Sequence, residues 1–293
     1  MTAIEGWLDL LACPICRGSL RLKGSELCCM PCQRSYSVQD GLFVLMRPED
    51  VRRFDEFGQR YREERLRDGW RPMTTKQALA LPYASPPGYP ALYWQVRRQS
   101  YDTLLQALSS RGAASAGACA ADLGAGTGWL SYRLAQFGYR VVAVEASRDD
   151  MFGLGAAVAH YASRALFLPV LGSLEHPPLS HGQFQLVVFN ASLHYAQNLE
   201  ATLQQAASAL AVGGWLVIMD TPIARQPRPG TGRGDRHLSR RELEDALAAA
   251  GLAAQWISVR RGPGWWFHQA KAMLKGSERF SFPLLMAGPY DTR

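Results

Sequence analysis

Five short, nearly uninterrupted apolar runs recur along the chain beyond residue 118: Cys119–Leu123, Tyr139–Glu145, Ala165–Leu171, Gln183–Asn190 and Leu216–Asp220. Runs of this length, bounded by Gly, Pro or charged residues, predict strands covered on both faces, as in a parallel sheet. Between them the apolar spacing changes to the helical period over Trp129–Phe137 and over 198–211 and 239–250. Two later runs, 255–260 and Phe280–Met286, predict two more strands. Strand and helix alternating in this way give an α/β fold with a doubly wound sheet of seven strands over 92–293. The first 46 residues differ, with short β-type pieces separated by turn residues. Residues 47–91 connect the two, and 47–71 read as a helix with a mixed-charge surface, where eight Arg face seven acids.

The composition, 47% apolar and 19% charged, is that of a folded globular chain and excludes a disordered one. Met1–Leu11 carries Glu5 and Asp9 and no basic residue, which argues against a secretory signal. No stretch approaches the ~18 uncharged apolar residues of a membrane span. A cytoplasmic location is expected. The net charge of +7 is concentrated: 221–241 hold Arg225, Arg228, Arg233, Arg236, Arg240 and Arg241 against Asp235 alone. Such a loop suits a phosphate, an anionic substrate or a lipid surface, or is simply solvated.

Five of the six cysteines fall within the first 32 residues. Two Cys-x-x-Cys turns, Cys13/Cys16 and Cys29/Cys32, offer four thiolates, the set a structural zinc ion takes in a tetrahedron at about 2.3 Å. Pro14 and Pro31 suit the tight turns. Zinc contributes roughly 10–16 kcal/mol to the folding of small modules, which explains how one with little core exists. Disulfide or redox use of the pairs belongs to secreted or thioredoxin-like contexts, which are absent. Cys28 has no partner turn and Cys119 reads as core.

The run into Asp122 is followed by Gly124, Ala125, Gly126 and Gly128, then by the helix pattern. Strand, tight turn and helix start together let backbone N–H groups approach a ligand closely. The next strand ends in Glu145, placed to accept both ribose hydroxyls of a nucleoside. A dinucleotide fingerprint, Gly-x-Gly-x-x-Gly, would need glycine where Trp129 stands.

The segment Asp122-Leu-Gly-Ala-Gly-Thr-Gly128, with Glu145 in step, resembles the class I S-adenosylmethionine (SAM) dependent methyltransferases, and the strand order through 92–290 resembles theirs. The resemblance implies a Rossmann-like sheet with SAM held by Asp122, Gly124, Ala125, Gly126, Gly128, Glu145 and Ala146. It implies an adenine contact at Ser173, Leu174 or Glu175, and places Asn190 by the methionine moiety. Leu11-Ala-Cys-Pro-Ile-Cys16, Glu26-Leu-Cys-Cys-Met-Pro-Cys32 and Tyr36-Ser-Val-Gln-Asp-Gly-Leu-Phe-Val-Leu45 resemble the zinc-ribbon family that includes the small activator subunit of tRNA, rRNA and protein methyltransferases.

Methyl transfer asks the protein to align an acceptor, exclude water and in some cases take a proton. In this fold the acceptor lies beyond strands four and five, where Asn190, Ser192, His194 and Tyr195 stand. His194 is the candidate base, with Tyr195 beside it; a structural histidine is the alternative. The Asn/Asp-Pro-Pro-Tyr tetrad of exocyclic-amine methylation is absent, since Ala191 follows Asn190. Two segments are candidates for a lid or acceptor wall: 61–94, with Tyr83, Tyr89, Tyr93 and Trp94, and Gly262–Lys275, where Trp265, Trp266, Phe267, Lys271 and Lys275 suit a lipid interface, a hydrophobic acceptor or plain packing. The expected activity is methylation of a small or lipophilic metabolite. One alternative is rRNA or tRNA methylation, because large-subunit guanine-N1 enzymes also carry a cysteine-rich module, though theirs ends in Cys-x-x-x-His. Another is a non-catalytic SAM-binding scaffold. The oligomeric state is not encoded in these patterns.

Overall fold

The cysteine-bearing segment folds into four short antiparallel strands, β1 (Leu20–Lys23), β2 (Glu26–Cys29), β3 (Ser35–Gln39) and β4 (Leu42–Val44). Asp40 and Gly41, at φ 51° and 78°, supply the positive-φ pair that a two-residue hairpin turn between β3 and β4 demands. The computed structural model describes residues 5–86, 88–113, 117–161, 166–224, 237–274 and 280–289.

Three helices follow: α1 (Pro48–Arg67), α2 (Thr75–Ala80) and α3 (Ala91–Ser110). Helix α1 opens on a proline and two acids and closes on Arg65 and Arg67, charges that suit its dipole. The α/β portion comprises β5 (Cys119–Leu123), α4 (Trp129–Gln136), β6 (Arg140–Glu145), α5 (Leu154–Tyr161), β7 (Phe167–Leu171), β8 (Phe184–Asn190), α6 (Leu199–Ala209), β9 (Leu210–Met219), β10 (Ile223–Ala224), β11 (Leu238–Ser239), α7 (Arg240–Ala249), β12 (Leu252–Ile257), α8 (Pro263–Leu274) and β13 (Leu284–Pro289).

The large sheet has the order β1-β2-β3-β4-β7-β6-β5-β8-β9-β13-β12. Seven of these strands form the expected doubly wound sheet, and the ribbon adds four more. The junction is β4 running parallel to β7, with Phe43 beside Val170 and Val44 beside Leu171. Arg17 reinforces it by donating to the carbonyls of Pro177 (2.5 Å) and Leu179 (3.2 Å).

Successive strand residues face opposite sides. Val142 and Val144 join the core shared with α6, α7 and the ribbon's Leu27 and Tyr36. Val141 and Ala143 join the core under α3, α4 and α5.

Three strand boundaries differ from expectation. Leu252–Ile257 starts directly after Gly251 (φ 76°), which ends α7, so the strand lies three residues before 255–260. The final strand begins at Leu284 instead of Phe280, after Pro283, which has no N–H to give a ladder. The fifth strand starts at Leu210, six residues early, and carries Gly213 and Gly214 within it. The arginine-rich loop with Arg225, Arg228, Arg233 and Arg236, and Lys275, lie outside the described residues. No helix among the described residues is long and apolar enough to cross a membrane.

Candidate active site

At the end of β5 the chain turns through Gly124, whose φ of 80° and whose N–H bond to the Val144 carbonyl (2.8 Å) set the bend. A Cβ on Gly124 would stand 2.3 Å from the Ser192 Cβ. Gly128 (φ 75°) starts α4, where a Cβ would meet Ala157 at 2.9 Å and the Phe167 ring at 3.0 Å. Only glycine fits either place. Between them the Gly126 N–H donates to Glu145 (2.9 Å). The other Glu145 oxygen accepts the N–H groups of Ala146 (2.8 Å) and Ser147 (2.9 Å). Burial pushes the Glu145 carboxyl up from the usual range, and these three N–H bonds oppose it.

Asp122 sits beneath the turn, fully buried, accepting the Ser131 hydroxyl at 2.7 Å. Burial lifts its carboxyl to about 7, with the Ser131 bond pulling the other way.

The turn opens into a cavity of about 260 Å³. Gly124, Ala125, Gly126, Glu145, Ala146, Ser173, Leu174 and Asn190 line it, so the strand-tip residues read from the sequence come together on one floor. Asp122 and Gly128 lie behind that floor. Tyr195 is part of the wall, while His194 is buried behind it, its ring 4.3 Å from the Tyr195 ring. Ala191, at φ 53°, is a non-glycine residue in left-handed conformation directly after Asn190; such strain collects where surrounding structure imposes it.

The roof comes from the helices ahead of the sheet. Phe54, Phe57 and Tyr61 project from α1, and Trp70, Tyr89 and Tyr93 close the far side. The rings meet edge to face: Phe57 with Tyr195 at 5.4 Å, Trp70 with Tyr93 at 5.0 Å, and Tyr61 with Phe152 at 6.3 Å. Two clasps hold α1 down. Arg53 donates to Glu175 (2.8 Å) and Gln197 (2.6 Å), and Arg62 donates to Asp149 (2.8 Å) and Asp150 (2.5 Å). Gly58 lets the helix reach the loop after β6, since a Cβ there would lie 2.8 Å from the Ser147 hydroxyl. On α3, Arg97 faces the cavity with 9% of its surface exposed, donating to the Tyr93 hydroxyl and to the Asn190 side-chain oxygen (3.3 Å).

The second wall candidate is elsewhere. Trp265 packs on Phe282 at 5.5 Å, and Trp266 and Phe267 are 64% and 74% exposed; none lines the cavity. Tyr83 also lies outside it and donates to Asp102 (3.1 Å).

At the other end of the molecule the four sulfurs of Cys13, Cys16, Cys29 and Cys32 all lie within 4.8 Å of one another. The Cys13–Cys32 and Cys16–Cys29 separations are 3.7 and 3.3 Å, far beyond a disulfide and close to the ~3.8 Å between thiolates around one tetrahedral zinc. Burial opposes ionisation of Cys13, but hydrogen bonds from the Tyr36 hydroxyl and from backbone bring its thiol down to about 7. The donor set fits a zinc ion.

Residues 93–256, more than half of the chain, match the methyltransferase domain family. The chain belongs to that family. Ahead of its methyltransferase domain, residues 7–41 match the Trm112p-like protein family. A UPF0434 protein of Methylobacillus flagellatus is 46% identical over 44 residues, 14% of this chain and 73% of that protein. One from Dechloromonas aromatica is 39% identical over 44 residues, 14% of this chain and 76% of its own length.

Among solved structures, geranyl diphosphate C-methyltransferase from Streptomyces coelicolor A3(2) superposes with a TM-score of 0.54 at 17% identity, over 80% of this chain and 97% of that one. Phosphoethanolamine N-methyltransferase 2 of Haemonchus contortus gives 0.55 at 13%, over 80% and 60%. The [4+2]-cyclase SpnF gives 0.50 at 20%, over 65% and 82%. At such identities the likeness is one of fold, and fold alone does not fix the reaction.

Part of the roof, Tyr89, Tyr93 and Trp94, stands in the 61–94 segment read from the sequence as a wall, whereas Phe54, Phe57, Tyr61, Trp70 and Arg97 were not picked individually. One signal was present. Phe54, Phe57 and Tyr61 form an apolar stripe at i, i+3 and i+7 through an otherwise charged helix, and Tyr93 and Arg97 stand one turn apart.

Proposed function

We propose that this methyltransferase moves the methyl group of SAM to a small, largely apolar acceptor. The observation that supports this is a cavity whose floor is the glycine turn with Glu145 and whose roof is a set of aromatic rings on α1, on α3 and on the segment between them.

The floor fits a nucleoside. The close approach that Gly124 permits leaves backbone room where a Cβ would project. The Glu145 oxygen that accepts only the Gly126 N–H keeps a lone pair beyond that bond, which suits a ribose hydroxyl. Ser173 and Leu174, after β7, provide the adenine side, and Asn190 the methionine side. Bound SAM supplies an electrophilic methyl on a sulfonium. The protein's own work is to fix the acceptor in line and keep water out, which the rings do by covering the cavity. Tyr195, on the cavity wall, is placed to touch the acceptor, and His194, its ring tilted by 40° against that of Tyr195, positions it. Cys13, Cys16, Cys29 and Cys32 would hold a zinc ion that stabilises the ribbon, and their position beyond β7 keeps them out of the transfer.

Calorimetric titration of the purified, zinc-loaded chain should show binding of both SAM and S-adenosylhomocysteine. Incubation with methyl-labelled SAM in lysate, followed by fractionation, should place the label in a small or lipid-soluble fraction. Label confined to RNA would overturn the acceptor class. Binding without label in any fraction would replace an enzyme with a scaffold.

A further inference from the structure

Helix α8 keeps one side against the body of the protein and gives the other to water. The inner side is pinned. Trp265 packs edge-on against Phe282, and the Gln269 amide donates to the Phe280 carbonyl (3.2 Å). Arg261 lies over the Trp265 ring at 5.8 Å and donates to the Val96 carbonyl of α3 (2.7 Å). At about 100° per residue, Trp266, Ala270, Leu274 and Phe267 fall within roughly a third of the helix circumference, away from Trp265 and Gln269. Trp266, Phe267 and Leu274 are 64%, 74% and 90% exposed, and Ala270 is exposed between them. An apolar stripe of this width ordinarily faces a core; here it faces solvent, which marks it as a contact surface.

The charge around the stripe has one sign. No Asp or Glu stands between Asp245 and Glu278, against Arg260, Arg261, Lys271 and Lys275. Arg260 and Lys271 are exposed, and neither forms an ion pair among the described residues. Lys271 borders the stripe, one turn beyond Phe267. This combination decides between occupants. The face offers five residues of one helix, whereas a stable protein interface takes about 20–30 a side. A second copy would bring its own cations against these. A membrane surface needs less: aromatic and leucine side chains that sink to headgroup depth, with lysine or arginine for the lipid phosphates.

We propose that α8 docks the protein on an anionic lipid surface, with Trp266, Phe267 and Leu274 sunk among the headgroups and Arg260 and Lys271 on lipid phosphates. The placement gives the docking a use. Helix α3 meets the start of α8 through Gln95 and Gln99, which lie beside Gly262, and its Tyr93, Trp94 and Arg97 line the cavity. Helix α3 thus links the docking face to the cavity wall, and a largely apolar acceptor is drawn from the lipid phase nearby. Docking itself does not depend on methyl transfer and is measured without SAM.

The test is flotation of the full zinc-loaded chain with vesicles, made of equal parts phosphatidylcholine and phosphatidylglycerol or of phosphatidylcholine alone. The variants are Trp266→Gln combined with Phe267→Gln, and Lys271→Gln, all at exposed positions, with thermal unfolding to establish that each is folded. The wild type should float with the anionic vesicles. The partition coefficient should fall at least about tenfold in the double aromatic variant and about fivefold in Lys271→Gln. Raised salt should narrow the gap between Lys271→Gln and the wild type. A wild type that stays behind with anionic vesicles overturns the proposal, as does a folded double variant that floats equally well. Equal flotation with both kinds of vesicle overturns the role given to the cations. Concentration-dependent dimerisation in sedimentation velocity, abolished by the double variant and unaccompanied by flotation, would assign the face to a second copy instead.

Discussion

The floor and the roof of the cavity are built by different means. The floor is backbone: glycines at positive φ, N–H groups donated to Glu145, and strand tips held in register by the sheet. The roof is side chain: rings meeting edge to face and two arginine clasps from a helix in which only Asp50 and Gly58 are buried. Backbone constraints admit few residue types, so the floor tolerates little change. Pairwise side-chain contacts are individually weak and replaceable, so the roof is the part that can loosen and reseat around a ligand.

The comparison breaks most visibly at Gly124. Valine there meets both the steric wall of Ser192 and a strained φ, so Gly124→Val should lower SAM affinity by more than about a hundredfold by calorimetry while the circular dichroism spectrum is kept. Retained affinity would mean that the turn yields as the roof does.

A second test probes the support beneath the floor. Asp122 titrates in the fold at about 7 against an ordinary value of 3.8, so the native state binds its proton more tightly than the unfolded chain. Its favourable contribution is complete below about pH 4 and is lost as pH rises through about 7, a change of about 4 kcal/mol at most. Asp122→Asn keeps an acceptor for Ser131 and removes the charge. Denaturant midpoints of this variant should therefore improve relative to wild type between pH 4.5 and pH 8. A relative loss over that range would show that the ionised carboxylate is stabilised in the fold.

The roof should give the smallest effect. Arg53→Met combined with Arg62→Met removes both clasps, whose side chains are partly solvated, and should weaken S-adenosylhomocysteine by about threefold to tenfold. The difference from wild type should shrink as salt is raised. A loss as large as that of Gly124→Val would place the roof on the same footing as the floor.

This contrast also explains what could be read from the sequence. The five parallel strands were legible because burial on both faces leaves uninterrupted apolar runs, and the cavity floor because Gly124, Gly126, Gly128 and Glu145 occupy positions that few other residues fill. The ribbon's four-cysteine cluster was legible for the same reason: two Cys-x-x-Cys turns have few uses. The last two strands were displaced by several residues, since Leu252–Ile257 opens on two alanines after its leucine and offers weak contrast, and Pro283 delays the final strand. The roof was hidden because its residues sit on three separate segments and meet only in space. Tyr89 and Tyr93 were noticed as part of a possible wall, but nothing local says that they face Phe57, Tyr61 and Trp70. Trp266 and Phe267 drew attention by density alone and point outward.

The seam between β4 and β7 has a practical consequence for anyone handling this protein. A shortened chain lacking the first 46 residues would leave the Val170–Leu171 end of β7 without its backbone partners on one side, next to an apolar surface that Phe43 and Leu45 now cover. Bare strands of that kind recruit other bare strands, so such a fragment would come out of solution or pair with itself as its concentration rises. The fused ribbon, whatever else it does, works as a stopper on the side of the sheet where growth would otherwise continue.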